Sequence, residues 1–388
     1  MPTPDRIAPP LVSRALLLYF VVAFLALTSF YLLLSVVPLY ATSVGAGRAG
    51  AGLTTGAFML MTVATELVTP ALLARFGYRL MLAAGLILLG APALALTSSA
   101  SLAIILAVSV VRGAGLAIVA VAGSSLVAAL TPPERRSEGL GLSGVVFAVP
   151  AVFALPLGVW LVDHVGFPSV FVAGATTSLA GLLAIPGLPG RARGAEEALS
   201  VLAGLRDPGQ LRPALLFLLT AMGTGIVVTF LPLAVKGSGR LAALALLANT
   251  VATAVARWWA GRYGGRSRLG QRGLLLAGVV AAAIGMGTLA FTANHSAVAA
   301  GAILLGLGFG VAQNSSLTLM FERVSAAGYD MVSAVWNLAY DAGLGLGAAG
   351  FGVLVTRTGY PGAFALVAVF MLLALAPVWR DRRWLARG

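Results

Sequence analysis

Long apolar stretches separated by short polar turns dominate this chain. About 20 consecutive apolar residues make an α-helix long enough to cross a bilayer. The sequence predicts twelve such spans, numbered 1 to 12 in chain order: 15–40, 50–73, 80–98, 102–130, 139–162, 168–187, 213–235, 241–260, 273–293, 296–321, 331–356 and 361–379. The strands of a membrane barrel would instead alternate apolar and polar residues in shorter segments. The pattern therefore predicts an all-α integral membrane protein.

The second half of the chain repeats features of the first about 190 residues later. Ser124-Ser125-Leu126 returns as Ser315-Ser316-Leu317, and Gly166-Phe167-Pro168 returns as Gly359-Tyr360-Pro361. The matching residues fall in, or next to, corresponding spans. Each half is therefore predicted to be one six-helix unit. Some transporters are built from two parallel repeats of this kind and hold their substrate between the repeats, near the middle of the membrane.

A polar stretch at 191–212 separates the two halves and is predicted to be a cytoplasmic linker. On this division the N-terminal six-helix bundle covers 15–190, and the C-terminal six-helix bundle covers 213–383. No other loop is long enough to hold a soluble domain.

Composition and charge agree with a membrane location. Only 10% of the residues are charged and 60% are hydrophobic, whereas a soluble domain carries about 25% charged residues. The net charge of +13 suggests nucleic-acid binding, but 20 basic residues fall on the membrane side of the termini and four on the opposite side. By the positive-inside rule, both termini are predicted to be cytoplasmic in a multi-pass protein of the inner (plasma) membrane. We call the arginine-rich side the basic end, and expect it to contact anionic lipid headgroups rather than nucleic acid.

Several kinds of site are not expected. The chain has no cysteine, which excludes disulfides and thiolate metal sites. It has no GxxxxGK[ST] motif, so no ATPase is expected within it. We predict a monomer with no cofactor, no metal site and no enzymatic activity.

The loop between spans 2 and 3 carries a family motif. Residues 70–79 read PALLARFGYR, which is similar to the G-x-L-a-D-R-x-G-R-R loop of the major facilitator superfamily. Arg75, Gly77 and Arg79 match that loop, but Ala74 stands where the family has an aspartate that helps to latch the cytoplasmic gate. The departure implies that some other contact holds the gate closed.

A second motif supports the resemblance. Arg112-Gly113-x-Gly115 in span 4 resembles the signature whose arginine is linked to proton coupling in drug exporters of this family. The chain is identified as a member of the superfamily over essentially its whole length, and it is similar to bacterial drug/proton antiporters. The resemblance implies twelve helices in two pseudo-symmetric bundles, alternating access, a small-molecule substrate and protons as the coupling ion.

Three ionisable residues lie well inside the apolar spans: Glu66 in span 2, Arg112 in span 4 and Asp341 in span 11. Charged groups in a membrane are costly, so they face the bundle interior or a wet cavity. A buried carboxylate that loses and regains a nearby cation as the cavity opens and closes would take up and release a proton. We therefore predict that Glu66 is the principal proton-coupling carboxylate, with Asp341 as the alternative, and that Arg112 sets the charge of the cavity.

Each of these residues also has a structural interpretation. Glu66 would then accept a hydrogen bond from a neighbouring helix, Arg112 would be a strut satisfied by backbone carbonyls, and Asp341 would be a strut or a gate residue. Arg257 is close enough to the membrane surface to snorkel, yet the aligned loops place it where Glu66 lies in the first half. The sequence leaves both interpretations open.

Polar side chains at helical spacing mark the faces that turn toward the interior. The predicted substrate cavity is lined by Arg112, Tyr31, Thr28, Ser35, Asn249, Asn314, Asn337 and Tyr340. The predicted gate residues are Arg75, Arg79, Arg257 and Gly77.

These features predict a proton-coupled exporter of small amphipathic or hydrophobic molecules. An importer of a nutrient such as a sugar is one alternative, modestly disfavoured because the central spans carry few amide side chains. A flippase of lipid-linked molecules, which need not couple to protons, is another. A membrane sensor would need an added signalling domain, for which the sequence shows no room.

Overall fold

The computed structural model describes residues 12–190, 200–235 and 239–376, and these residues form helices joined by short turns. The part of the predicted linker at 191–199 lies outside the described residues. The α-helices of the described residues are α1 (Arg14–Ala41), α2 (Gly47–Gly90), α3 (Leu102–Leu130), α4 (Arg136–Ala180), α5 (Val201–Arg206), α6 (Pro208–Ala234), α7 (Gly239–Tyr263), α8 (Gly270–Thr288), α9 (His295–Phe321) and α10 (Tyr329–Leu373).

Three of the long helices each hold two membrane spans, because a glycine breaks them. Gly77 in α2, Gly166 in α4 and Gly359 in α10 adopt φ values of 76°, 77° and 68°. This left-handed conformation is open to glycine because it has no Cβ atom. With these breaks, α2 contains span 2 and the first part of span 3, α4 contains span 5 and the first part of span 6, and α10 contains span 11 and the first part of span 12. The repeated Gly-aromatic-Pro motif is thus the turn within the last pair of spans of each half.

The six remaining long helices contain one span each, so the described chain has the twelve spans of the predicted fold. Span 7 begins earlier than predicted, since α6 begins at Pro208. The Asp207 side chain caps this helix by accepting a hydrogen bond from the Gly209 N–H at 2.9 Å. An aspartate cap followed by proline is a strong helix start. The short helix α5 precedes it within the predicted linker.

Small residues let the helices approach closely, as is common in membrane bundles. A Cβ atom added at Gly278 of α8 would lie 2.8 Å from the Gly308 carbonyl oxygen of α9. The two halves meet in the same way where α4 crosses α7. A Cβ atom at Gly261 would lie 2.6 Å from the Ser137 carbonyl oxygen and 2.8 Å from Gly141 Cα. The halves are therefore in backbone contact at the basic end.

Candidate functional site

Glu66 lies on the face of α2 that turns into the protein. Two threonines one turn away on either side anchor this part of α2. Thr62 Oγ1 donates a hydrogen bond to the Phe58 carbonyl at 2.9 Å and also lies 3.2 Å from the Gly113 carbonyl of α3. Thr69 Oγ1 donates to the Thr65 carbonyl. Glu66 itself is 0% exposed. Among the described residues, no backbone N–H, amide, guanidinium or alcohol group donates a hydrogen bond to its carboxyl oxygens.

The group that faces Glu66 is the carboxyl of Asp341, which lies on α10 in the other half of the protein. A hydrogen bond between two carboxyl groups forms only when one of them carries a proton, since two buried carboxylates in contact repel each other strongly. Tyr31 of α1 lies close to Asp341. The two residues that the sequence offered as alternatives are therefore one site, and that site spans the boundary between the halves.

Arg112 lies elsewhere, inside the first half. Its Nε donates a hydrogen bond to the Leu89 carbonyl at 2.9 Å, and its guanidinium carbon is 5.8 Å from the centre of the Phe58 ring. It lines a small cavity between α1, α2 and α3, together with Thr55 and Ser109. In the described part of the chain, no ion pair joins it to a carboxylate. The bond to a backbone carbonyl agrees with the structural interpretation of Arg112, but its buried Nη2 has no hydrogen-bond partner among the described residues. The same residues show no contact between Arg112 and Glu66.

Arg257 of α7 does not snorkel toward the membrane surface. Its side chain is 6% exposed and points between the halves, where it lies so close to Gly144 of α4 that a Cβ atom there would overlap it. Its guanidinium carbon is 5.9 Å from the centre of the Phe147 ring and 5.8 Å from that of the Trp336 ring. Arg257 Nη1 donates a hydrogen bond to Gln313 Oε1 at 3.3 Å.

An aromatic cluster in the second half surrounds this position. Phe217 of α6 stacks on Trp336 of α10 with ring centres 4.5 Å apart, and both rings stack on Tyr340 at 6.0 and 6.3 Å. Phe309 of α9 stacks on Phe217 at 5.9 Å. Stacked aromatic rings form a rigid apolar wall. Tyr340, a predicted cavity residue, is part of that wall and is half-buried.

The other predicted cavity residues have varied environments. Asn249 Nδ2 donates to the Ala302 carbonyl at 2.8 Å, which ties α7 to α9. Asn337 and Thr28 hydrogen-bond to carbonyls in their own helices. Asn314 Nδ2 donates to Ser137 Oγ at 2.9 Å, at the basic end. Ser35 lies in α1, and its side chain is outside the described residues.

At the basic end, the predicted gate residues Arg79 and Arg75 of the loop between spans 2 and 3 each contact a residue of the first half. Arg79 Nε donates a hydrogen bond to the Leu188 carbonyl. Arg75 lies over the Phe76 ring at 5.2 Å, and Gly77 forms the turn. The residue that crosses to the other half is Tyr78, whose hydroxyl donates a hydrogen bond to Asp330 Oδ1 at 2.7 Å.

Other contacts between the halves surround Tyr78 and Asp330. Arg136 donates to the Tyr329 hydroxyl, and Ser333 Oγ donates to the Val121 carbonyl at 2.7 Å. Arg262 of α7 forms an ion pair with Glu138 of α4. These three contacts and the Tyr78–Asp330 hydrogen bond make four, and we call the four together the basic-end latch. None of the latch pairs was predicted from the sequence.

Comparison with known proteins identifies the fold family. The sequence profile described as Major Facilitator Superfamily matches residues 19–269 and 213–384. The chain belongs to the major facilitator superfamily. It is therefore a multi-pass membrane protein and a secondary transporter, the class of carrier that moves small molecules across membranes.

Solved structures of this superfamily share the fold at low sequence identity. The human organic anion transporter MFSD10 (TETRAN) is 18% identical with a TM-score of 0.74, over 93% of this chain and 97% of that chain. The E. coli fucose:proton symporter FucP is 15% identical with a TM-score of 0.76, over 92% and 96%. The proton:xylose symporter XylE is 14% identical with a TM-score of 0.75, over 95% and 96%.

Proposed function

We propose that this superfamily member is a proton-coupled transporter that exports small amphipathic molecules in exchange for protons. The observation that carries the proposal is the contact between the carboxyl groups of Glu66 and Asp341. The two residues belong to different halves, so any motion that separates the halves at this level also separates the carboxyls.

The contact couples proton binding to conformation through simple electrostatics. While the two carboxyls touch, one proton must stay between them. When the halves move apart, water reaches both groups, the repulsion falls with distance, and the proton is free to leave. Protonation therefore favours the joined arrangement and ionisation favours the separated one. A ligand that binds the separated arrangement would release a proton, which is the linkage an antiporter needs.

The basic-end latch supplies the second element of alternating access. The distribution of arginines supports an orientation in which this end faces the cytoplasm. The hydrogen bonds of Tyr78 and Ser333 hold the halves together here. A substrate that arrives from the cytoplasm must wait for these contacts to break. We assign to this latch the gate role that the resemblance gives to the loop aspartate, which is Ala74 in this chain.

Export rather than import rests on the Arg112-Gly113-x-Gly115 signature, which resembles that of drug exporters. Import of a nutrient and flipping of a lipid-linked molecule use the same fold. They differ from export by antiport in the effect of a pH gradient, and this difference provides the test.

The test begins with a thermal-shift screen of purified protein against amphipathic compounds of each charge type. A compound that stabilises the protein is then followed in inverted membrane vesicles, with and without an imposed pH gradient. Export by proton exchange predicts uptake into inverted vesicles that is driven by an acidic interior. Uptake that ignores the gradient would favour a flippase, and accumulation in the opposite direction would favour an importer.

A further inference from the structure

Arg257 is a buried cation that the coupling scheme does not use. It is 6% exposed, and within the described ranges its Nε has no hydrogen-bond partner and its side chain makes a single hydrogen bond, the 3.3 Å contact with Gln313. Among the described residues, no carboxylate forms an ion pair with it. Burying an unpaired charge is expensive. An unpaired cation buried between the two halves is therefore a candidate for binding an anionic group.

The surroundings of Arg257 indicate what kind of group would bind there. Phe147 and Trp336 present their ring faces to the guanidinium from opposite halves. Tyr19 and Tyr340 lie near it as well. Phe147 and Tyr340 are half-buried, so the wall beside the guanidinium is not fully closed by protein. The site thus combines one cation with several aromatic surfaces.

Arg257 and the carboxyl pair lie at different depths, but close enough for one ligand to reach both. It is six residues before the end of α7, and Asp341 is twelve residues after the start of α10. At the rise of an α-helix these separations are about 9 and 18 Å from the basic end. Tyr340 adjoins Asp341 in sequence and lies near Arg257. A ligand of moderate size would touch both levels.

We propose that Arg257 binds the anionic group of the transported substrate, and that the substrate is an organic anion with an aromatic or flat apolar body. This inference rests on the proposed transport function and names its substrate class. A guanidinium binds carboxylate, sulfonate or phosphate groups through paired N–H donors. The aromatic cluster of Phe217, Trp336 and Tyr340 provides stacking surface for the body of the molecule.

The geometry separates Arg257 from the other buried arginine. Arg112 is held by the Leu89 carbonyl and lies within one half, whereas Arg257 touches α4 of the first half and α9 and α10 of the second. A substrate site in an alternating-access carrier must lie between the halves so that each side of the membrane can reach it. Arg257 meets that requirement.

The experiment measures binding to the purified full chain by isothermal titration calorimetry. The four probes are 1-naphthylacetate, 1-naphthylacetamide, 2-(1-naphthyl)ethylammonium and acetate. The first three probes carry the same naphthalene ring with a negative, a neutral and a positive group, and acetate keeps the negative group without the ring. We expect 1-naphthylacetate to bind about tenfold or more tightly than each of the others, because it alone has both the anion and the aromatic body.

Variants locate the preference. Arg257→Gln should bind 1-naphthylacetate and its amide equally, and Arg257→Lys should keep part of the preference because it keeps the charge without the planar fork. Arg266→Gln is the matched control, since Arg266 is exposed in the turn after α7 and the charge change is the same. It should keep the full preference.

Each other outcome overturns the proposal. No preference for 1-naphthylacetate in the wild type, including no binding of any probe, rejects this substrate class without recourse to a variant. If acetate binds as tightly as 1-naphthylacetate, the site recognises the carboxylate alone and does not use the aromatic wall. A preference that survives in folded Arg257→Gln places the anion elsewhere. The probe preference is measured without a pH gradient, so it is read separately from transport. A wild type that prefers 1-naphthylacetate but shows no gradient-driven transport would reject the antiport mechanism and leave the anion site standing.

Discussion

Two regions join the halves of this transporter, and they are built differently. The basic-end latch contains several ordinary hydrogen bonds and a partly exposed ion pair. The buried contact contains two carboxyl groups, Glu66 and Asp341, and no cation in the described residues. Each bond of the latch is weak and replaceable by water, so the latch opens in small steps. On the proposed mechanism, the strength of the carboxyl contact depends on one shared proton, so it changes in a single step.

On the proposed mechanism, the carboxyl contact controls the transport cycle more strongly than any one bond of the latch. Neutral hydrogen bonds each contribute about 1 kcal/mol, and exposed ion pairs contribute less. Losing one latch bond therefore changes the balance of states by a small factor. On the proposed mechanism, losing the shared proton instead removes the response of the two halves to pH.

The largest effect is expected from removing one carboxyl. In Glu66→Gln or Asp341→Asn the buried contact no longer requires a transferable proton, so the pH gradient should cease to drive accumulation of substrate. Exchange of labelled for unlabelled substrate should continue, because it needs no net proton movement. Transport of the screened compound in vesicles, with and without a gradient, measures both.

Asp163→Asn is the matched control for this prediction, since Asp163 is exposed at the opposite end of the first half. It should leave gradient-driven transport unchanged. Full accumulation by Glu66→Gln would show that the carboxyl contact is structural.

The next largest effect is expected where the backbones touch. In Gly261→Ala the new Cβ atom would lie 2.6 Å from the Ser137 carbonyl oxygen, so the latch closes only if the backbones shift. Such overpacking costs about 1–3 kcal/mol and should favour states that are open at the basic end. Because the chain has no cysteine, Ser333→Cys provides a single reporter within the latch, labelled by a membrane-impermeant maleimide. The substitution itself removes the hydrogen bond to the Val121 carbonyl, so every variant is compared in this same background.

We expect the Ser333→Cys reporter to be labelled faster in the Gly261→Ala variant than in the protein that keeps Gly261. Gly265→Ala is the control, because nothing lies within 4 Å of a Cβ atom at Gly265. Unchanged labelling with Gly261→Ala would mean that the α4–α7 crossing does not limit closure.

A smaller effect is expected from Tyr78. Tyr78→Phe removes the 2.7 Å hydrogen bond to Asp330, which should weaken the latch by about 1 kcal/mol and raise the labelling rate about fivefold. Asp330→Ala, which removes the acceptor, should act similarly, and the double variant should be little worse than either single variant. Fully additive effects in this cycle would show that the two residues act independently.

The smallest effect is expected from the ion pair between Arg262 and Glu138. The Arg262 side chain is 41% exposed, so Arg262→Gln should weaken the latch by about 0.5 kcal/mol or less. Labelling rates of the variant and the wild type should converge at high salt, where exposed charges are screened. A large change in labelling rate that does not depend on salt would show that the ion pair contributes more to latch closure than an exposed pair should.

The fold was predictable because lipid imposes long apolar helices, and the twelve spans follow from the hydrophobic pattern. The repeated Gly166 and Gly359 motifs were visible as repeats, although their role as left-handed turns within long helices was not. The start of α6 at Pro208 was missed, since a hydrophobic window does not register an Asp-Pro cap.

The candidate site was only partly predictable. Glu66 and Asp341 stand out because charged residues are rare in apolar spans, but they are 275 positions apart in sequence, and no local pattern shows that they meet. The absence of an aspartate at Ala74 indicated that another contact must serve as the latch. Nothing in the pattern identified Tyr78, because a tyrosine in a loop has many possible partners.

The central claim is that Glu66 and Asp341 hold one proton between them and release it as a unit. The direct test adds the screened compound to purified protein in weak buffer and counts the protons released by wild type, Glu66→Gln, Asp341→Asn and the double variant. The account predicts release from the wild type, loss of that release in each single variant, and no further change in the double variant. Undiminished release from either single variant would contradict it.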